Sequence, residues 1–316
     1  MPYSLDPQVA AGLAALAGPD EPPPPLPAGD VEGRRAAVEA LQTVAHALLP
    51  TPSDVAVRDF ETTTADGATL LLRWYAKEGS SPGSAVLYAH GGGMILSTVA
   101  IYDGPVARYV SATGVPFLSV EYRYAPEHPA PTPVTDCHAG LRWLVEHADE
   151  LGVDPARIAI MGDSGGGGVA ASLAVYARDQ GGPAVAEQIL IYPMLDDRNT
   201  EPDPALVPFL TWTYDDNITG WGALLGGAAG GPEVDAYGAA ARLTDFTGLP
   251  PAYIEVGELD IFRDEDLAYA QRLIAAGVSV ELHLHPDIPH AAEALAPDTD
   301  IARRVNADRH RVIAAL

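Results

Sequence analysis

Residues 158–172 read IAIMGDSGGGGVAAS, and this stretch decides the fold. Four apolar residues run into a glycine-dense corner that carries one serine, Ser164, and an apolar helical pattern leaves it. Glycine at this density is costly to order, because each loses more backbone freedom on folding than any other residue. The spacing gives that cost a mechanical reason. Gly162-Asp163-Ser164-Gly165-Gly166 fits G-x-S-x-G, in which a strand stops, the chain reverses and a helix starts. The serine at that corner is forced into a strained conformation, and its neighbours two before and two after must lack side chains. The new helix presents free backbone N–H groups and the positive end of its dipole, so an anion forming on a bound molecule can be held there.

Two other readings compete for the same residues. One is a glycine-rich turn with an incidental serine. The other comes from Gly165–Ala170, which matches G-x-G-x-x-A, the dinucleotide fingerprint. That pattern needs its first glycine directly after the strand and an acid about 20 residues on, closing the next strand. Here the strand ends near Met161, and the acid after EQILIY is Asp196. The dinucleotide reading fails on both counts, and no cofactor is expected.

A second motif favours the nucleophile. His90-Gly91-Gly92-Gly93-Met94 follows the strand pattern SAVLYA. Successive glycines let backbone N–H groups approach a substrate oxygen closely, which is the other half of an oxyanion hole. His90 reads as a residue that shapes this loop. Serine at its free pKa is a feeble nucleophile, so a base and an orienting acid are needed downstream in the order Ser…Asp/Glu…His. Asp260 stands just past the strand pattern PAYIEVG, and His290 after the last strand, in HPDIPHAAE. Loops at the carboxyl edge of a parallel sheet would carry both toward Ser164. Among their competitors, Asp264, Glu265 and Asp266 read as the exposed start of the next helix, where acids favour the dipole. His283 and His285 alternate with Leu282 and Leu284 and read as the polar face of the last strand.

Across the 316 residues, composition is that of a globular protein, 47% hydrophobic and 19% charged. A net charge of −25 disfavours nucleic acid and anionic membrane surfaces as partners. Cys137 is the only cysteine, which excludes an intrachain disulfide and a cysteine-based zinc cage. It falls on the apolar face of a helical pattern at 134–151 and reads as core. No metal site is expected. No apolar run approaches the ~18 residues of a membrane span, and the apolar stretch near the start lacks a basic flank, so a cytoplasmic protein is expected.

Residues 1–50 stand apart: two helical patterns, about 7–17 and 31–49, are joined by the proline-rich GPDEPPPPLPAG, a stiff extended connector. From Val55 eight strand patterns alternate with helices. The first two, separated by a turn at Asp66-Gly67, pair antiparallel; the later ones are short continuous apolar runs, as in a buried parallel sheet. Residues 193–249 contain no convincing strand, and an interval of that length in a βα pattern reads as an inserted wall or lid.

With these motifs in place, the chain resembles the bacterial hormone-sensitive-lipase-like esterases of the α/β-hydrolase superfamily. HGGG at 90–93, GDSGGG at 162–167, EYRYAPEHPAP at 121–131, LIYPMLD at 190–196 and PAYIEVGELDIFRDED at 251–266 carry the likeness. The resemblance implies an α/β fold with a mostly parallel eight-stranded sheet, a helical cap at 1–50 and a catalytic domain at 51–316, with 193–249 contributing to the substrate wall. It implies Ser164 as nucleophile, His290 as general base and acid, Asp260 as the residue orienting it, and oxyanion donors among Gly91, Gly92, Gly93 and Gly165, with His90 and Asp163 supporting the motifs. The expected activity is hydrolysis of small esters, short-chain ones first, without a cofactor; an amidase, a lactonase or a non-hydrolytic receptor could use the same arrangement. A homodimer built on the last strand is a further expectation. Three departures stand out: Gly165 where the family most often has alanine, Met94 where an aromatic is common, and Ala-Ala-Glu after His290 where Gly-Phe is usual.

Overall fold

The expected antiparallel hairpin forms as β1 (Val55–Thr63) and β2 (Thr69–Lys77), joined at Asp66-Gly67. The computed structural model describes residues 3–17 and 24–316. Beyond the hairpin come β3 (Ala85–Ala89), β4 (Phe117–Val120), β5 (Ile158–Asp163), β6 (Gln188–Ile191), β7 (Ala252–Gly257) and β8 (Val280–His285). They form one eight-stranded sheet in the order β1-β2-β4-β3-β5-β6-β7-β8. β2 runs antiparallel to both its neighbours, and every other pair is parallel. β3, β4, β6 and β7 are buried at every position, β5 at all but its last, which is why they read as unbroken apolar runs. This is the α/β-hydrolase architecture that the glycine motifs implied.

The helices are α1 (Pro7–Ala17), α2 (Val31–His46), α3 (Asp103–Thr113), α4 (Thr132–Glu146), α5 (Ala148–Leu151), α6 (Gly165–Asp179), α7 (Tyr214–Leu225), α8 (Arg263–Ala275), α9 (Ala292–Leu295) and α10 (Asp300–Ala314). The single helix expected at 134–151 breaks at His147 into α4 and α5, and Cys137 is buried on α4 as expected. Residues 18–23 of the proline-rich connector lie outside the described residues. Among the described residues no helix is long and apolar enough to cross a membrane, and no cluster of three or more metal-ligating side chains occurs.

Residues 193–249 hold α7, which opens on a capping box: the Thr213 hydroxyl accepts from the Asp216 N–H at 3.2 Å, and the Asp216 carboxylate accepts from the Thr213 N–H at 2.8 Å. α2 docks on it through Arg34, whose fully buried guanidinium reaches Asp216 at 2.7 Å and the carbonyls of Leu26, Pro27 and Asp30. Arg35 next to it forks onto Glu127 at 2.8 and 2.6 Å and donates to the carbonyls of Ile95 and Ala125. α2 is thereby tied both to the inserted segment and to the loop that follows the glycine motif.

Two expectations are corrected. His285 is buried and His283 half-buried, whereas Leu282 and Leu284 are exposed. The histidine side of β8 is covered by α10, with His283 Nδ1 3.7 Å from Asp308, so the leucines take the outer face. Glu265 and Asp266 begin α8 but are buried, not exposed: Glu265 accepts from the N–H groups of Leu195 and Asp196 at 2.6 and 3.1 Å, fixing the chain after β6.

Candidate active site

The strand-to-helix corner is as tight as its glycines require. Ser164 sits between β5 and α6 with φ 55° and ψ −122°, in a region that favours glycine. A Cβ on Gly162 would collide with the Gly166 carbonyl, and one on Gly166 with the carbonyls of Ala89 and His90. Parallel pairing places Gly162 beside Ala89 and Leu190, so the corner emerges at the carboxyl edge, next to the end of β3.

Three loops from that edge converge. His290 Nε2 lies 2.9 Å from Ser164 Oγ, and His290 Nδ1 lies 2.6 Å from Asp260 Oδ2. Asp260 is wholly buried, and its other oxygen accepts from the Phe262 N–H at 3.0 Å. The carboxylate can only accept, so Nδ1 carries the imidazole proton and Nε2 is left free to accept from the serine. Burial pushes the His290 pKa down, but the Asp260 carboxylate outweighs it and the net shift is upward. The ring is clamped by Tyr192 (centroids 4.6 Å apart) and Phe262 (5.2 Å), both edge-on. Tyr192 in turn donates its hydroxyl to Glu293 at 2.7 Å, and Glu293 is held by Arg309 at 2.8 Å.

Asp163 has a role that its motif position did not reveal. It accepts from the hydroxyls of Tyr88 at 2.5 Å and Tyr102 at 2.8 Å, and from the Gly91 N–H at 3.1 Å. The carboxylate beside the serine therefore holds the glycine loop in register with it. This corrects one expectation: the Gly91 N–H is spent on Asp163 and is not a free oxyanion donor. Gly92 and Gly93, at φ 122° and 57°, and Gly165 at the helix start keep unpaired N–H groups among the described residues. A Cβ on Gly165 would stand 2.7 Å from the amide nitrogens of both Gly93 and Met94, so glycine at 165 lets the two loops close on each other. His90 is buried, stacked on Tyr122 with centroids 4.4 Å apart, and bonded through Nδ1 to the Gly91 carbonyl at 2.8 Å. Burial pushes its pKa down, which suits a neutral residue that shapes the loop.

Ser164 and His290 open into a cavity of about 550 Å³. Its walls come from α2 (Val38, Leu41, Ala45), Tyr102 and α3 (Pro105, Arg108), the segment Thr211–Trp212, and α9–α10 (Leu295, Asn306, Ala307). Trp212 packs its six-membered ring against Gly93. Tyr88, Tyr102, Tyr192 and Trp212 escaped the sequence reading, because an aromatic in a strand, helix or loop carries no mark of what it faces.

Comparison with known proteins agrees with this fold. The family model described as alpha/beta hydrolase fold matches residues 86–294. The chain is 43% identical over 213 residues to the carboxylesterase NlhH of Mycobacterium tuberculosis, covering 65% of each, so the match spans about two-thirds of that relative's length. It is 32% identical over 253 residues to an ethyl acetate hydrolase of Pseudomonas putida, covering 74% of each. Among solved structures, a bacterial heroin esterase superposes with a TM-score of 0.88 at 37% identity, covering 99% of this chain and 98% of that one. An esterase of the archaeon Pyrobaculum calidifontis superposes at 0.84 with 28% identity, covering 99% of each. The chain belongs to the hormone-sensitive-lipase-like esterase family of the α/β-hydrolase superfamily.

Proposed function

We propose that the protein is a serine carboxylesterase that hydrolyses esters with short acyl chains. The observation that carries this reading is the unbroken line Ser164 Oγ, His290 Nε2, His290 Nδ1, Asp260 Oδ2, with hydrogen-bond distances of 2.9 and 2.6 Å, opening into the cavity. Ser164 Oγ attacks the ester carbonyl carbon as His290 Nε2 takes its proton. The carbonyl electron pair moves onto oxygen, where the N–H groups of Gly92, Gly93 and Gly165 receive it. Collapse breaks the bond to the alcohol oxygen, which leaves with the proton from His290. Water then attacks the acyl-serine, gives a proton to His290, and the acid departs as Ser164 recovers its hydrogen. Residues 1–50 and 193–249 act as cap and wall over the catalytic domain at 51–316, a division supported by α2 lining the cavity and by the Arg34–Asp216 contact.

The test is direct. Ser164→Ala should fold and lose hydrolysis of p-nitrophenyl acetate, and a fluorophosphonate probe should label the wild type at Ser164. Substantial turnover by the alanine variant would sink the assignment, and a wild type that neither turns over nor labels would be a receptor. Parallel amide and lactone substrates, with a series of acyl lengths, define the preference.

A further inference from the structure

The cavity is mostly apolar, with the carboxylates of Asp163, Glu293 and Asp298 also on its lining, and one cation on its wall has no carboxylate partner among the described residues. Three of the arginines lining it differ in their partners. Arg303 is paired with Asp300 at 2.5 Å, and Arg309 with Glu255 and Glu293, the latter at 2.8 Å. Arg108, half-buried on α3, has no carboxylate partner among the described residues. One of its amino groups makes long contacts with the carbonyls of His46 and Leu49, at 3.4 and 3.3 Å, and the rest of the fork has no hydrogen-bond partner among the described residues. Burial pulls its pKa down and no carboxylate offsets that. Half-burying a cation without a counter-charge carries a cost, and it is avoidable in a chain with 43 acidic residues against 18 basic ones. A guanidinium kept open in this way presents a planar fork suited to a carboxylate.

The placement sets Arg108 apart from the Ser164 end of the cavity. Tyr102 precedes α3 and bonds Asp163, the neighbour of Ser164. Arg108 lies six residues further along, about 9 Å at 1.5 Å per residue. Pro105 from α3 and Val38 and Ala45 from α2 line the same cavity, an apolar surface that suits a short run of methylenes.

We propose that Arg108 is the anion-binding end of the substrate cavity and recognises a carboxylate carried at the far end of the ester, several carbons from the reacting carbonyl. The substrate class is then a half-ester of a short dicarboxylic acid, or an ester whose alcohol ends in a carboxylate. This rests on the esterase reading of Ser164.

The experiment compares p-nitrophenyl monoadipate with p-nitrophenyl hexanoate, which has the same acyl length without the charge. 6-Acetoxyhexanoate compared with hexyl acetate places the carboxylate in the alcohol half. The readout is the ratio of kcat/KM, anionic over neutral, in wild type, Arg108→Met and Arg108→Lys. The net charge of −25 repels anions equally in wild type and variants, apart from the single substituted charge, so it largely cancels between them. The ratio should fall about tenfold or more in Arg108→Met, through KM, and be partly kept in Arg108→Lys, in whichever half of the ester the carboxylate is read. An unchanged ratio in both pairs, with both substrates losing activity together, would make Arg108 a cap on the end of α2 and overturn the proposal. Calorimetric titration of monomethyl adipate into the Ser164→Ala protein, with and without Arg108→Met, reads the site without turnover. If the wild type hydrolyses none of the four esters, the esterase reading fails, while binding that depends on Arg108 would still show the anion site; no such dependence would overturn it.

Discussion

The corner that holds Ser164 should cost the protein stability, and two substitutions at Ser164 isolate that cost. Ser164 holds φ 55° and ψ −122°, a conformation that costs a residue with a Cβ about 1–3 kcal/mol. Ser164→Ala and Ser164→Gly both remove Oγ and its 2.9 Å bond to His290, so that loss cancels between them. Alanine keeps the strain, whereas glycine relieves it. Glycine adds freedom to the unfolded chain, which takes back about 0.4–1 kcal/mol. The glycine variant is therefore expected to be more stable than the alanine variant by about 0.5–2 kcal/mol. Urea unfolding followed by tryptophan fluorescence measures it as a higher midpoint at equal m. Both variants should lose p-nitrophenyl acetate hydrolysis by about 10⁴-fold or more. An alanine variant as stable as the glycine variant, or more so, would refute the claim that the corner is strained.

Three further outcomes follow from the same geometry. Gly165→Ala puts the family's common residue 2.7 Å from the amides of Gly93 and Met94 and should lower kcat for p-nitrophenyl acetate about tenfold or more by displacing oxyanion donors; unchanged kcat would show that the loop yields freely. Asp260→Asn should lower kcat by about 10⁴-fold. Because Asp260 raises the His290 pKa and the base acts when neutral, the acid limb of kcat/KM lies above the ordinary histidine value in the wild type and should move to lower pH in any residual activity of Asp260→Asn; an unmoved limb would refute the coupling. Asp266 is wholly buried with both carboxyl oxygens unpartnered, and burial, then Glu265 and Asp260, hold its pKa well above the carboxylate range. Its folded form prefers the proton, so wild-type stability should fall by up to about 1.4 kcal/mol per pH unit as pH rises above ~4 toward that raised pKa. Asp266→Asn should remove that slope between pH 5 and 7, and a constant gap in urea midpoint would refute it.

The parts legible in sequence are those where backbone must approach backbone. Gly162 and Gly166 face carbonyls that leave no room for a Cβ, a constraint that admits one residue type and so shows in the letters. Asp260 and His290 were legible because a serine needs both, in order, after strands that apolar runs had already located. Alternation located β8 but could not orient it: His283 and His285 turn inward because α10 brings Asp308 over that face, and α10 lies in a later part of the chain. Likewise Glu265 and Asp266 looked like an ordinary acidic helix start, since nothing local says that residues 195–199 pack over it.

The glycine loop shows the same limit at finer scale. Gly91, Gly92 and Gly93 are identical letters, yet Asp163 takes the N–H of the first and leaves the others open. That division depends on where the Asp163 carboxylate is turned, and Tyr88 and Tyr102 turn it, from β3 and the start of α3. The Ala-Ala-Glu after His290 is explained in the same terms. Ala291, at φ 55°, turns the chain, and Glu293 takes the Tyr192 hydroxyl while Arg309 neutralises it. Tyr192 is thereby fixed against the imidazole from one side as Phe262 meets it from another. The departure from Gly-Phe thus puts a buried carboxylate near His290, and Arg309, itself held by Glu255 on β7, ties its position to the sheet.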